Sequence, residues 1–190
     1  MAGGDGLARA RRTAARPVRA AASLVGFPEQ VNDVAARTVA SGVFATAVTA
    51  LATRQAWLAA PLAYGFLARV VSGPRLSPLA QVATRLVAPR LAAHEKLVPG
   101  PPKRFAQGIG AAFTLAATGC WAAGAPVATY VLLAVLALPA LLEAALGFCV
   151  GCQLFGVLMR VGLVSEATCE ACADLWGPAA ARRRAAVHAG

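Results

Sequence analysis

Hydrophobic positions along this chain gather into four long runs, and the segments between them hold most of the charge. The first run extends from Val34 to Thr53, with Arg37 near its start. The second, Gln55 to Val71, opens on Trp57 and carries Arg69 near its end. The third covers Phe105 to Ala123. The fourth starts at Val127 and continues to Met159, interrupted only by Glu143 and Gln153. Each approaches the roughly 20 residues that a helix needs to cross a hydrocarbon core. Ala, Gly, Ser and Thr dominate the first three, which suits close helix contact inside a bilayer. Only Arg54 and its neighbours separate the first two runs, so these form a tight helical hairpin. The pattern predicts an all-α protein, a four-span transmembrane helical bundle.

The segment between the second and third runs has a pattern of its own. In LSPLAQVATRLVAPRL, Leu76 to Leu91, residues Leu79, Val82, Leu86 and Val87 recur at helical spacing with arginines elsewhere on the turn. Pro78 suits the first turn of a helix and Ser77 its cap. This predicts an amphipathic helix, lying on the cytoplasmic surface or packed under the bundle. HEKLVPGPPKRF then reads as an extended, Pro-rich connector into the third span.

Composition supports the membrane class. The chain has 190 residues, enough for one domain, and is 58% hydrophobic with only 14% charged residues. So little charge would leave a soluble protein's apolar surface uncovered. The net charge of +10 would suggest nucleic acid if its cations lay in one stripe, but they fall between the apolar runs. The bilayer is therefore the expected partner, and nucleic acid is not. Arg9, Arg11, Arg12, Arg16 and Arg19 precede the first run. Arg75, Arg85, Arg90, Lys96, Lys103 and Arg104 lie between the second and third, and Arg160 and Arg182 to Arg184 follow the fourth. The positive-inside bias then puts both termini and the long middle loop in the cytoplasm. Residues 1–26 read as a basic, disordered tail, 27–176 as the membrane domain and 177–190 as a second basic tail. AAASLVGF is too short for a secretory signal, since Pro28, Glu29, Asn32 and Asp33 follow it. Arg11-Arg12 matches a twin-arginine signal only in the dipeptide.

Candidate chemistry lies in GFCVGCQLFGVLMR, Gly147 to Arg160. Counted along a helix from Val127, Glu143 falls about 24 Å in and Cys149 about 33 Å in, which places the thiols at the cytoplasmic interface. A second pair, Cys169 and Cys172, follows in TCEACADLW. Three readings compete. Cys149 and Cys152 are helix-packing residues; or Cys149, Cys152, Cys169 and Cys172 converge on a structural zinc ion; or the first pair performs redox or sulfur-transfer chemistry. Cysteines at i and i+3 share a helical face and can bridge with small adjustment. In a reducing compartment such a bridge is transient, hence catalytic or sensing. A nearby cation, Arg160 or Lys103, would favour the reactive thiolate. Cys120 stands alone as a small buried residue. Glu143, a carboxylate inside an apolar run, is a candidate proton acceptor for the thiols, or an interhelical partner of Arg69 or Arg104.

The combination of VND near the start, LSPLAQ, PPKRFAQGIG, LEAALGFCVGC and CEAC resembles the domain-of-unknown-function 4395 family of bacterial integral membrane proteins. The resemblance covers roughly residues 27–176, with PKRFAQ and GFCxGC its most specific parts. Carried onto this sequence, its marks are Asn32, Ser77, Pro78, Lys103, Arg104, Phe105, Glu143, Cys149 and Cys152. The family has no assigned activity. Members are similar in gene setting, near thioredoxin-like proteins and thiosulfate sulfurtransferases, which implies sulfur or thiol redox metabolism. The expectation is thus a cytoplasmic-face CxxC exchanging electrons or sulfane sulfur with a soluble thioredoxin-like or rhodanese-like sulfurtransferase partner. Its rivals are a transporter of a small sulfur compound, with Glu143 at its site, and a zinc-stabilised membrane scaffold. Quinone-linked thiol oxidoreductases also carry CxxC on four helices. They keep their thiols on the oxidising side, which the charge bias opposes. No nucleotide, flavin or haem motif appears, so the sequence leaves open whether the chain is an enzyme.

Overall fold

The computed structural model describes residues 28, 30–94 and 97–164. Both predicted tails, Cys169 and Cys172 lie outside the described residues. Six helices and one short two-stranded ribbon make up the described fold, so the helical expectation is met with a small β addition. Strand β1 (Gln30–Asn32) leads into helix α1 (Asp33–Thr53), where Asn32 Oδ1 accepts from the N–H groups of Val34 and Ala35 at 2.8 and 3.3 Å. That satisfies two of the donors a helix start leaves open. Arg54, at φ 58°, turns the chain into a single 3₁₀ turn, Ala56–Leu58, followed by α2 (Ala59–Ser72). The hairpin is present, but α1 and α2 touch little. The main pairings are α1 with α5 (Pro126–Leu146) and α2 with α4 (Gly100–Ala122), and α4 also packs on α5 and on α6 (Val150–Arg160).

The predicted amphipathic helix is broken into three. An α-turn, α3 (Pro78–Val82), passes into a π-turn, Ala83–Val87, and then a 3₁₀ stretch, Ala88–His94. It packs against α1, with Leu79 over Gly42, so it belongs to the bundle rather than lying free of it. Ser77 occupies the cap position but does not cap. Its hydroxyl accepts from the Arg69 guanidinium at 3.2 Å. The extended connector is also shorter than expected. Leu97–Pro99 forms β2, antiparallel to β1, and α4 begins at once with Pro101 and Pro102 in its first turn, where a missing N–H is harmless. The third predicted span therefore starts five residues early, and Lys103 sits inside the helix rather than in a loop.

Small residues fill the interior: Ala47, Ala50, Ala59, Ala83 and Ala117 are wholly buried, while Val127, Val131, Val135 and Leu138 form an outward stripe along α5. That apolar outer face suits lipid on the outside. Among the described residues two helices, α1 and α5, are long and apolar enough to cross a membrane. Helix α2 together with its preceding 3₁₀ turn makes a shorter apolar helix, Ala56–Ser72, and Gly, Thr and Gln dilute the apolar character of the longer α4.

Candidate functional site

The fourth apolar run is not one helix. Gly147, at φ 68°, ends α5, and Phe148 and Cys149 lead into α6. A left-handed residue at this position is the usual glycine stop. Arg37 reaches across from α1 and donates to the carbonyls of Ala144 and Ala145, at 3.3 and 2.9 Å, so the open acceptors of the helix end are filled by a cation. The cysteines therefore open a separate helix: Cys149 is the N-cap of α6 and Cys152 lies in its first turn.

Gly151, between the two cysteines, sets how closely α6 approaches α4. A Cβ there would stand 2.5 Å from Ala106 Cβ and 2.7 Å from its Cα. The contact continues one turn on, where the Phe105 and Phe155 rings pack with centroids 5.7 Å apart. This docking brings the thiols to the first turn of α4 and hence to Lys103.

Both cysteines are buried and reduced, and the Cys152 thiol donates to Cys149 with the sulfurs 2.8 Å apart. Lys103, 6% exposed, forms a close ion pair with Glu143 and stands 4.0 Å from Asp33. The charges are coupled to the sulfurs. Cys152's donated hydrogen bond holds Cys149 below the usual thiol range; burial and Glu143 oppose that, and Lys103 assists it. The same hydrogen bond, with burial, pushes Cys152 up. One nucleophile and one proton-bearing thiol result, which is the division of labour that thiol exchange requires.

Glu143 pairs with neither Arg69 nor Arg104, the partners considered from sequence. Arg69 donates from Nε to Gln107 at 2.8 Å and from Nη1 to Ser77, over the Phe66 ring, and Arg104 donates to the Val70 carbonyl. Of the two cations considered for the thiols, Lys103 is the one beside them. Asp33 and Arg37 were missed as site residues. Asp33 lies in the VND segment, which entered only as part of the family resemblance. Among the described residues no group of three or more His, Cys, Asp or Glu side chains is placed to hold a metal ion. The four-cysteine zinc set falls partly outside the described residues.

A half-open cavity of about 400 Å³ adjoins the thiols, lined by α1, α2, α4, α5 and α6, with Val135 and Leu138 of the outward stripe at its mouth. Its walls are apolar apart from Arg69, Gln107, Glu143 and Cys149. Residues 31–160 match the family described as Domain of unknown function (DUF4395). No curated protein and no solved structure matches the chain.

Proposed function

This chain belongs to the DUF4395 family, a domain of unknown function, and we propose that it is a membrane-bound thiol-exchange protein whose working groups are Cys149 and Cys152. The observation that carries this reading is the buried dithiol itself, with sulfurs 2.8 Å apart at a helix start and Lys103 beside them. In the membrane α1, α2, α4 and α5 are the four spans, with both termini and the thiol end in the cytoplasm of a bacterial cell. The two long apolar helices and the distribution of arginines support that arrangement.

The reaction follows from the division of roles. Cys149 attacks one sulfur of a partner's disulfide; that bond breaks, a mixed disulfide forms and the partner's second sulfur leaves as a thiolate. Cys152 then loses its proton, which the leaving thiolate or Glu143 accepts, and attacks Cys149 Sγ. The mixed disulfide breaks, leaving a Cys149–Cys152 disulfide and a partner reduced by two electrons. With a persulfide partner the outer sulfur passes to Cys149, and the second attack releases hydrosulfide. A soluble thioredoxin-like or sulfurtransferase protein is the partner class.

Trapping tests it. Cys152→Ser should accumulate a covalent adduct through Cys149, visible on non-reducing gels of membranes, because the resolving thiol is gone. Cys149→Ser should trap far less, since the remaining thiol holds its proton. If neither variant forms an adduct and both keep full function in cells, the pair is packing.

A further inference from the structure

The cavity beside Cys149 has features that thiol exchange with a soluble protein does not use. Its volume of about 400 Å³ lies in the range of small-ligand sites, and its walls are almost wholly apolar. Arg69 is 5% exposed and lines it, and its Nη2 is buried with no hydrogen-bond partner. Two of the guanidinium's three nitrogens are engaged, Nε by Gln107 and Nη1 by Ser77, so Nη2 is an open position rather than a disordered side chain. An unsatisfied charged donor in a dry site costs several kcal/mol. A ligand that supplied an acceptor would remove that cost. Glu143, the carboxylate on the wall, is already held by Lys103. The complementary molecule is therefore lipophilic, with an oxygen acceptor on its polar end.

We infer that this cavity binds a quinone and that the Cys149–Cys152 dithiol reduces it; the inference rests on the thiol reading above and adds its electron acceptor. Cys149 lines the cavity, so its sulfur can reach a ring carbon of an occupant. The thiolate adds there and a C–S bond forms. Cys152 then attacks Cys149 Sγ, the C–S bond breaks, and its electron pair stays on the ring. The protons of the two thiols end on the two quinone oxygens, giving hydroquinone and a Cys149–Cys152 disulfide. Arg69 hydrogen-bonds the oxygen on which charge builds. A flavin or nicotinamide nucleotide would bring phosphates that these apolar walls cannot solvate. Thiols on the reducing side suit this direction, because the exchange with the soluble partner then runs in reverse: a reduced partner's dithiol attacks the Cys149–Cys152 disulfide and regenerates both thiols, and the electrons leave into the lipid-soluble pool.

The test uses the full-length protein in detergent micelles, reduced and then freed of reductant, with a water-soluble ubiquinone carrying one isoprene unit. The expected result is one quinone reduced per chain, with two thiols lost. The C149S/C152S double variant should still bind the quinone but reduce none. Arg69→Gln should weaken binding about tenfold or more, the loss expected for one charged hydrogen bond. Ala36→Phe, which fills the cavity without touching charge, should abolish binding, and it keeps the inference testable if the Arg69 variant does not fold. Wild-type affinity in Ala36→Phe overturns the site. Absence of quinone reduction while Cys152→Ser still traps its protein partner overturns the quinone inference alone. Absence of both reduction and trapping overturns the thiol reading with it.

Discussion

Lys103 joins two kinds of chemistry, one structural and one reactive. It neutralises Glu143 in a buried site and lends its field to Cys149. Breaking such a pair by removing one partner costs roughly 3–5 kcal/mol, because the other charge stays buried alone. Lys103→Met should therefore destabilise the protein by that order in thermal or denaturant unfolding, and Lys103→Met combined with Glu143→Leu should recover much of the loss. The reactive role is read separately, from the rate at which Cys149 is alkylated against pH. Only the thiolate reacts, so a lowered pKa moves the midpoint to lower pH than an ordinary thiol shows. Lys103→Met should move that midpoint up, and Cys152→Ala should move it up further, since the donated hydrogen bond is the larger cause. Peptide mass spectrometry of the labelled protein gives both curves. Cys149, Cys152 and Glu143 could be picked out of the sequence because thiols and a carboxylate stand out in an apolar run. Their neighbours could not be ranked. Arg69, Arg104, Lys103 and Arg160 were equivalent cations until the helix pairings decided which one faced the sulfurs.

Helices were legible where their apolar runs were long, and their ends were legible only in part. Gly147 marked a turn, but helical counting alone carried the run on to Met159. The break matters because it changes the cysteines from residues within a span to the start of a new helix. PPKRF read as connector, although paired prolines at a helix start were the signal for what is found. The β1–β2 ribbon was invisible, since three-residue strands carry no periodicity. Gly151 is the position where sequence and packing meet most tightly, because any side chain there collides with Ala106 backbone. Gly151→Ala should push α6 off α4, destabilise by about 1–3 kcal/mol as other overpacked contacts do, and lower the reactivity of Cys149 by separating it from Lys103. Ala106→Gly placed in the same chain removes the Ala106 Cβ but leaves its Cα in the way, so the double variant should regain only part of the stability and reactivity. If Gly151→Ala alone behaves as wild type in melting temperature and alkylation rate, the close approach is not what positions the thiols.

At the scale of the whole molecule, charge distribution and helix order carry the topology. Reporter fusions at both termini and within residues 72–104 should all report cytoplasm, and an external signal from the C-terminus would move the thiols to the other side. The helical class was legible from the hydrophobic pattern, but the packing order was not, because chain neighbours are not the main spatial neighbours here. Helices α1 and α2 leave each other largely unpartnered and wait for α5 and α4. On the proposed four-span arrangement the first hairpin dwells in the bilayer until the second half of the chain arrives, exposed meanwhile to quality-control proteases. A nonsense truncation within residues 92–96 should leave a fragment that is rapidly degraded. The same fragment co-produced with one starting near residue 97 should persist, because the two would meet along both principal helix pairs and the ribbon. Asp33 and Arg37 would come from one piece, and Lys103, Glu143 and the dithiol from the other, so recovery of thiol reactivity would itself report assembly.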